Sequence, residues 1–292
     1  RAKSTSVDSI SASLSACGGN RLIGARRAAG PEGGAGRLWR GVSGGCQCAV
    51  GRGTFRGPVV GEGGWPVLAP GGGGGPEGVE VPFASPAPRT AVQGGASGVV
   101  RPDDPRWTAV RALPRDVATP AGEGWDLPVR PTTLAEPGAP AFLGVRQQHR
   151  DVDVTVTVQV PAAAGERAGV VVRQSEDDHV RLLVDGGPGD ERRVVAVHRR
   201  GGTDAVAGET TVTAAPGEPV VVGLRVRGQD YGLVAGPADG PVVDVATVDG
   251  RTLDSAAAGG FLGLWLGVHA TSERRPSASV VRVERFVYEP VA

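Results

Sequence analysis

Residues 151–160 read DVDVTVTVQV, an unbroken alternation of valine with a polar residue. Val152, Val154, Val156, Val158 and Val160 fall on one side, and Asp151, Asp153, Thr155, Thr157 and Gln159 on the other. Only an extended strand puts every second side chain on one face; a helix would spread the valines around its circumference. β-branched residues suit both faces of such a strand. The segment therefore predicts a strand with one buried face. Its backbone N–H and C=O groups require neighbouring strands.

Candidate neighbours follow at short intervals. Strand-like runs occupy 168–174 (AGVVVRQ), 179–184 (HVRLLV), 192–199 (RRVVAVHR), 209–214 (ETTVTA) and 219–227 (PVVVGLRVR). Others occupy 230–235 (DYGLVA), 241–247 (PVVDVAT), 260–270 (GFLGLWLGVHA) and 279–288 (SVVRVERFVY). Gly186-Gly187-Pro188-Gly189 and Gly201-Gly202 punctuate them as turns. Many short strands with almost no helical period predict an all-β, antiparallel two-sheet sandwich over 103–290.

The upstream part differs in character. The chain holds 48 Gly and 24 Pro, concentrated before residue 140, and 71–75 are five consecutive glycines. Such a run could cradle a phosphate, but no G-K-[ST] follows it, so it reads as linker. A short helix is expected over Ser4–Ala16, and residues 1–50 otherwise lack a period and are expected to be poorly ordered. Cys17, Cys46 and Cys48 complete neither a disulfide framework nor a zinc site.

Lys+Arg 31 balances Asp+Glu 31, which argues against nucleic acid as a partner. No apolar run approaches a membrane span, and residues 1–16 lack the apolar core of a signal peptide. A cytoplasmic setting is favoured, with the compartment left open. The chain opens on Arg1 and holds no Met, which points to a fragment, a trimmed chain or a shifted frame. No cofactor and no metal are expected.

Four stretches carry a family resemblance. Ala141–His149, AFLGVRQQH, resembles the F-x-G-R-R-Q-Q-H segment that opens the accessory sandwich of family 43 glycoside hydrolases, the β-xylosidases and α-L-arabinofuranosidases. Gly259–Ser272, GGFLGLWLGVHATS, is similar to that family's G-G-F-T-G, apolar strand and A-T-S. Phe286-Val287-Tyr288 resembles its closing F-x-Y, and Asp104-Pro105-Arg106-Trp107, Trp125-Asp126-Leu127 and Arg130-Pro131 fit its lead-in. Gly51–Val67 resembles G-R-E-T-F-L-A-P-V-x-W-E-D-G-W-P-V, the end of the family's catalytic propeller, with Gly53, Arg56 and Gly61 departing from it. The resemblance implies a concanavalin A-like jelly roll at 103–290, a linker at 76–102, and a remnant of a five-bladed propeller at 51–75, behind a poorly ordered or misframed 1–50.

Glycoside hydrolysis generally uses two carboxyl groups flanking the scissile bond. In the family these lie on earlier propeller blades. Asp8 and Glu32 are the acidic residues ahead of Arg52, and neither has a matching context, so no catalytic residue is assigned. Asp151 and Asp153 share a strand face, which reads as solvated surface. Glu176-Asp177-Asp178-His179 reads as a hairpin tip and lacks the spacing of a calcium loop.

The resemblance makes Arg52 and Phe261 the candidate sugar-binding residues, with a surface Arg and a core Phe as the plain alternatives. Trp265 reads as core before platform, Gln147, Gln148 and His149 as supports of the sandwich entry, and His269 as a hydrogen-bonded core or edge histidine.

These readings give the accessory sandwich of a family 43-like hydrolase, inactive alone. The expected partners are a missing propeller domain and a xylo- or arabino-oligosaccharide. The rivals are a free lectin-like module, which a groove of exposed aromatics would favour, and a hydrolase regained by pairing with a separate propeller chain.

Overall fold

A computed structural model of the chain describes the strands at 22–27, 34–40, 52–62 and 65–68, and residues 98–254, 257–259 and 263–291. The chain divides into two compact units, Arg1–Gln93 and Gly94–Ala292.

In the first unit the described residues form one antiparallel sheet in chain order: β1 (Leu22–Arg27), β2 (Gly34–Arg40), β3 (Arg52–Glu62) and β4 (Trp65–Leu68). Two of these strands fall inside 1–50, where the sequence shows no period; β3 and β4 fall in the stretch that resembles the propeller's end. Arg52 opens β3 opposite Arg40. The expected helix at Ser4–Ala16 and the glycine run at 71–75 lie outside the described residues.

The second unit is an antiparallel sandwich. It begins upstream of residue 103, because β5 (Gly98–Val99) pairs with the last strand. Then come β6 (Thr108–Ala109), the single-turn helix α1 (Pro114–Val117), β7 (Thr119–Ala121), β8 (Gly124–Pro128) and β9 (Ala141–Arg146). The central run is β10 (Val152–Gln159), β11 (Arg167–Arg173), β12 (His179–Asp185), β13 (Glu191–Arg200) and β14 (Thr203–Thr213). It continues through β15 (Pro219–Arg227), β16 (Asp230–Pro237), β17 (Val243–Asp249), β18 (Trp265–Thr271) and β19 (Val280–Pro290). One sheet runs β17-β16-β15-β10-β19-β8-β7, with β5 also on β19; the other runs β14-β13-β12-β11-β18-β9-β6.

The alternation that opened the argument sets the burial. Val152, Val154, Val156 and Val158 of β10 are all buried, while its polar side chains are half-buried or exposed. The seven-stranded sheet behaves differently. In β9, β11 and β18 nearly every residue is buried, on both faces. Such strands read as continuous apolar runs because both faces are covered. One face packs into the sandwich core. On the other, Val110 and Leu134 cap Phe142 and Val171, with Trp265 packed against them.

The aromatic lead-in closes the opposite sheet. Trp107 stacks edge-on to Trp125 at 6.0 Å and to Phe286 at 5.0 Å, and its indole N–H donates to the Arg101 carbonyl at 2.9 Å. These are the D-P-R-W, W-D-L and F-x-Y residues, so the motif is in part a packing motif.

Candidate functional site

β18 lies between β9 and β11, with Trp265 opposite both Arg146 and Arg173. Residues directly opposite on neighbouring strands project from the same face. The Arg146 guanidinium lies 3.9 Å from the centre of the Trp265 ring, and that of Arg173 lies 5.5 Å away. A ring face is electron-rich, so both cations are drawn to it.

Each cation is held differently. Arg173, 5% exposed, pairs with Glu176 at 3.0 Å, and Glu176 also accepts from Arg111 at 2.5 Å. Burial raises the Glu176 carboxyl, but the hydrogen bond from Arg111 and the two guanidinium charges outweigh it and hold the group below its usual range. Arg146 donates to the Gly263 carbonyl. Burial, and then the neighbouring Arg173 charge, lower the Arg146 guanidinium from its usual value. Two buried donors here, Trp265 Nε1 and Arg173 Nε, have no hydrogen-bond partner among the described residues.

Both described flanks of the G-G-F segment are hydrogen-bonded to residues that directly follow β9 and β11. Gln174 Nε2 donates to the Gly259 carbonyl at 2.9 Å, and the Gln147 N–H donates to the Leu264 carbonyl at 3.0 Å. Gly259 has φ +79°, a left-handed conformation that glycine adopts without strain. Phe261 itself lies outside the described residues, and for Arg52 the structure gives the strand position alone.

Gln147, Gln148 and His149 secure the sandwich entry. The Tyr231 hydroxyl donates to Gln147 Oε1 at 2.7 Å, and the Tyr288 hydroxyl accepts from the N–H groups of Gln148 and His149 at 3.0 and 3.2 Å. His269 is fully buried with Nδ1 2.9 Å from the Ala141 carbonyl, and burial, followed by the Arg181 and Arg173 charges, pushes it down to about 4. Trp265 belongs to the small core on the outer face rather than to the sandwich centre.

The acidic candidates are already engaged. Asp153 forms a two-pronged pair with Arg227 at 2.6 and 3.0 Å, and Asp151 accepts from the Gly228 N–H at 2.6 Å. Asp178 accepts from the Gly201 N–H at 3.0 Å and from Ser175 Oγ at 3.3 Å, as expected of a hairpin tip. Among the described residues no three His, Cys, Asp or Glu side chains converge as metal ligands. Among the described residues no helix is long and apolar enough to cross a membrane.

Sequence reasoning missed Arg146, Arg173 and Arg111, and read Glu176 as part of a hairpin tip without its arginine partners. The available signal was an arginine ending each of two apolar strands, where a charge is buried only with compensation.

Residues 104–289 match the β-xylosidase C-terminal concanavalin A-like domain of glycoside hydrolase family 43. The chain belongs to that family. The chain is 24% identical over 252 residues to a xylosidase/arabinosidase of Butyrivibrio fibrisolvens, covering 84% of the chain and 48% of the relative. It is 26% identical over 190 residues to a non-reducing end α-L-arabinofuranosidase of Bacteroides ovatus, covering 62% and 34%. The chain thus spans half or less of the length of these relatives. In fold it is similar to a xylan β-1,4-xylosidase of Bacillus halodurans, with TM-score 0.70, 18% identity, and 92% and 54% of the two chains covered.

Proposed function

We propose that the chain serves as the accessory half of a family 43-type hydrolase releasing terminal xylose or arabinose from hemicellulose fragments. Its sandwich shapes the mouth of a sugar pocket and supports a propeller domain. The match of residues 104–289 to the family's C-terminal domain carries this reading.

Bond cleavage is assigned elsewhere than to the sandwich. The chemistry calls for two carboxyl groups across the scissile bond, and Asp151 and Asp153, already read as solvated surface, are held by Gly228 and Arg227. Arg52 and Phe261 remain the proposed sugar contacts. Hydrogen bonds from Gln174 and Arg146 hold Gly259 and Gly263, the described residues on either side of Phe261.

The purified chain should not turn over aryl xylosides or arabinosides. Activity that survives rigorous purification and follows the chain through each step would overturn the non-catalytic reading. A second reading is hydrolysis regained on pairing with a separate propeller chain. Activity appearing only after a propeller chain is added would establish it.

A further inference from the structure

We propose that the Arg146–Trp265–Arg173 row is a binding site for the carboxylate of a sugar acid, a uronic acid of the kind that decorates hemicellulose. Three guanidiniums stand on this patch against one carboxylate. Arg111 and Arg173 both hold Glu176, while Arg146 forms no ion pair among the described residues. Arg146 instead lies over the half-buried Trp265 ring and donates to a backbone carbonyl. An indole face and a carbonyl offset part of a buried charge, but they do not neutralise it.

Two further facts point to the same missing partner. Trp265 Nε1 and Arg173 Nε are buried donors without acceptors among the described residues. Buried N–H groups are nearly always paired, so two orphans in one patch call for an acceptor. Arg146 and Arg173 also flank a single ring, so their like charges oppose each other. One anion relieves both conditions. Its carboxylate accepts from the open edge of Arg146, in the forked geometry a guanidinium favours, and neighbouring sugar hydroxyls accept from the two orphaned donors.

The choice of a sugar acid among oxyanions rests on the hydrolase reading; the preference for an anion over a neutral sugar does not. The experiment therefore titrates the full chain, without any catalytic assay, with glucuronate, xylose and inorganic phosphate. The readout is the indole N–H resonance of Trp265, identified among the 5 tryptophans by its loss in Trp265→Phe. Glucuronate should move this resonance saturably, and xylose and phosphate should move it far less. Arg146→Gln, with an unchanged melting temperature, should weaken glucuronate at least about tenfold, the loss of one charge-assisted hydrogen bond.

Should Arg146→Gln fail to fold, Arg146→Lys keeps the charge without the fork and should also weaken binding. Glucuronate that leaves the resonance unmoved, xylose or phosphate matching it, or undiminished binding by the folded Arg146 variant would each overturn the assignment. Hydrolysis found in the purified chain would overturn the non-catalytic reading and leave this result standing.

Discussion

The Tyr231 hydroxyl donates to Gln147 Oε1 at 2.7 Å, with both residues buried, and so joins β16 of one sheet to the segment leaving β9 of the other. Gln147 Nε2 donates onward to the His149 carbonyl at 3.0 Å. Tyr231→Phe removes one hydroxyl and leaves a buried amide oxygen unpaired. It should lower stability by about 1–3 kcal/mol. Urea unfolding of both single variants and of Tyr231→Phe/Gln147→Met should give a favourable coupling between the two sites. Additive losses would mean that the hydrogen bond is energetically idle.

Acid should destabilise the sandwich before its carboxylates begin to protonate. Burial, and then the Arg181 charge, push His179 down to about 3; burial pushes His269 down to about 4. His179 is held neutral, with Nδ1 donating to the Ser175 carbonyl at 3.2 Å and Nε2 accepting from Arg181 at 3.3 Å. Between the unfolded value of 6.5 and these folded values, the unfolded chain binds more protons, so stability falls as pH falls. At pH 5 each histidine should have removed about 2 kcal/mol relative to neutral pH. His198, also lowered by burial, acts with the same sign. Urea midpoints at pH 7, 6 and 5 measure the slope, and His269→Gln should flatten part of it. A flat profile would show that the two rings can protonate in place.

The strands, their alternation and the entry motif were legible in the sequence because period two is a local property. The ends of the elements were less so. The run at 209–214 proves to be the far half of β14, which starts at Thr203. Thr203–Ala207 is exposed and lacks an apolar face, so no pattern marks it. Its pairing comes from the Gly201-Gly202 turn, where both residues have positive φ, 53° and 82°. The run at 260–270 becomes a described strand only from Trp265. Asp153 was legible as surface because its neighbours on that face are polar. The Arg146–Trp265–Arg173 row was not legible, since it arises from the register of three strands far apart in sequence.

Arg192 should prove to be a structural cation. It is buried, and its guanidinium donates to the carbonyls of Ala214 at 2.8 Å and Gly187 at 2.6 Å, and also to that of Gly189. It thereby closes the Gly186–Asp190 turn from beneath. Arg192→Met keeps much of the volume but strands these acceptors, and should lower stability by about 2–4 kcal/mol. Amide exchange should quicken around Gly187–Gly189 more than in β10. A loss spread evenly over the sandwich would assign Arg192 to general packing.

The glycine of the F-x-G motif should be required for a steric reason. Phe142 is fully buried, and its ring lies over Gly144 two residues along the same face of β9. A Cβ built at Gly144 would stand 2.7 Å from the Phe142 ring edge and 3.3 Å from the Leu266 carbonyl. Gly144→Ala must therefore push the ring away from Val110, Leu134 and Val171, the small core of the outer face. Overpacking of this kind should lower stability by about 1–3 kcal/mol. Phe142→Ala removes the ring and should lose more, about 3–5 kcal/mol. The combination separates the causes. In a Phe142→Leu background the shorter side chain leaves room, so Gly144→Ala should be far less damaging there than in the parent. Melting temperatures of the four proteins complete the cycle. An equal penalty in both backgrounds would place the collision at the Leu266 backbone, and Gly144 would then be set by strand packing rather than by the ring of Phe142.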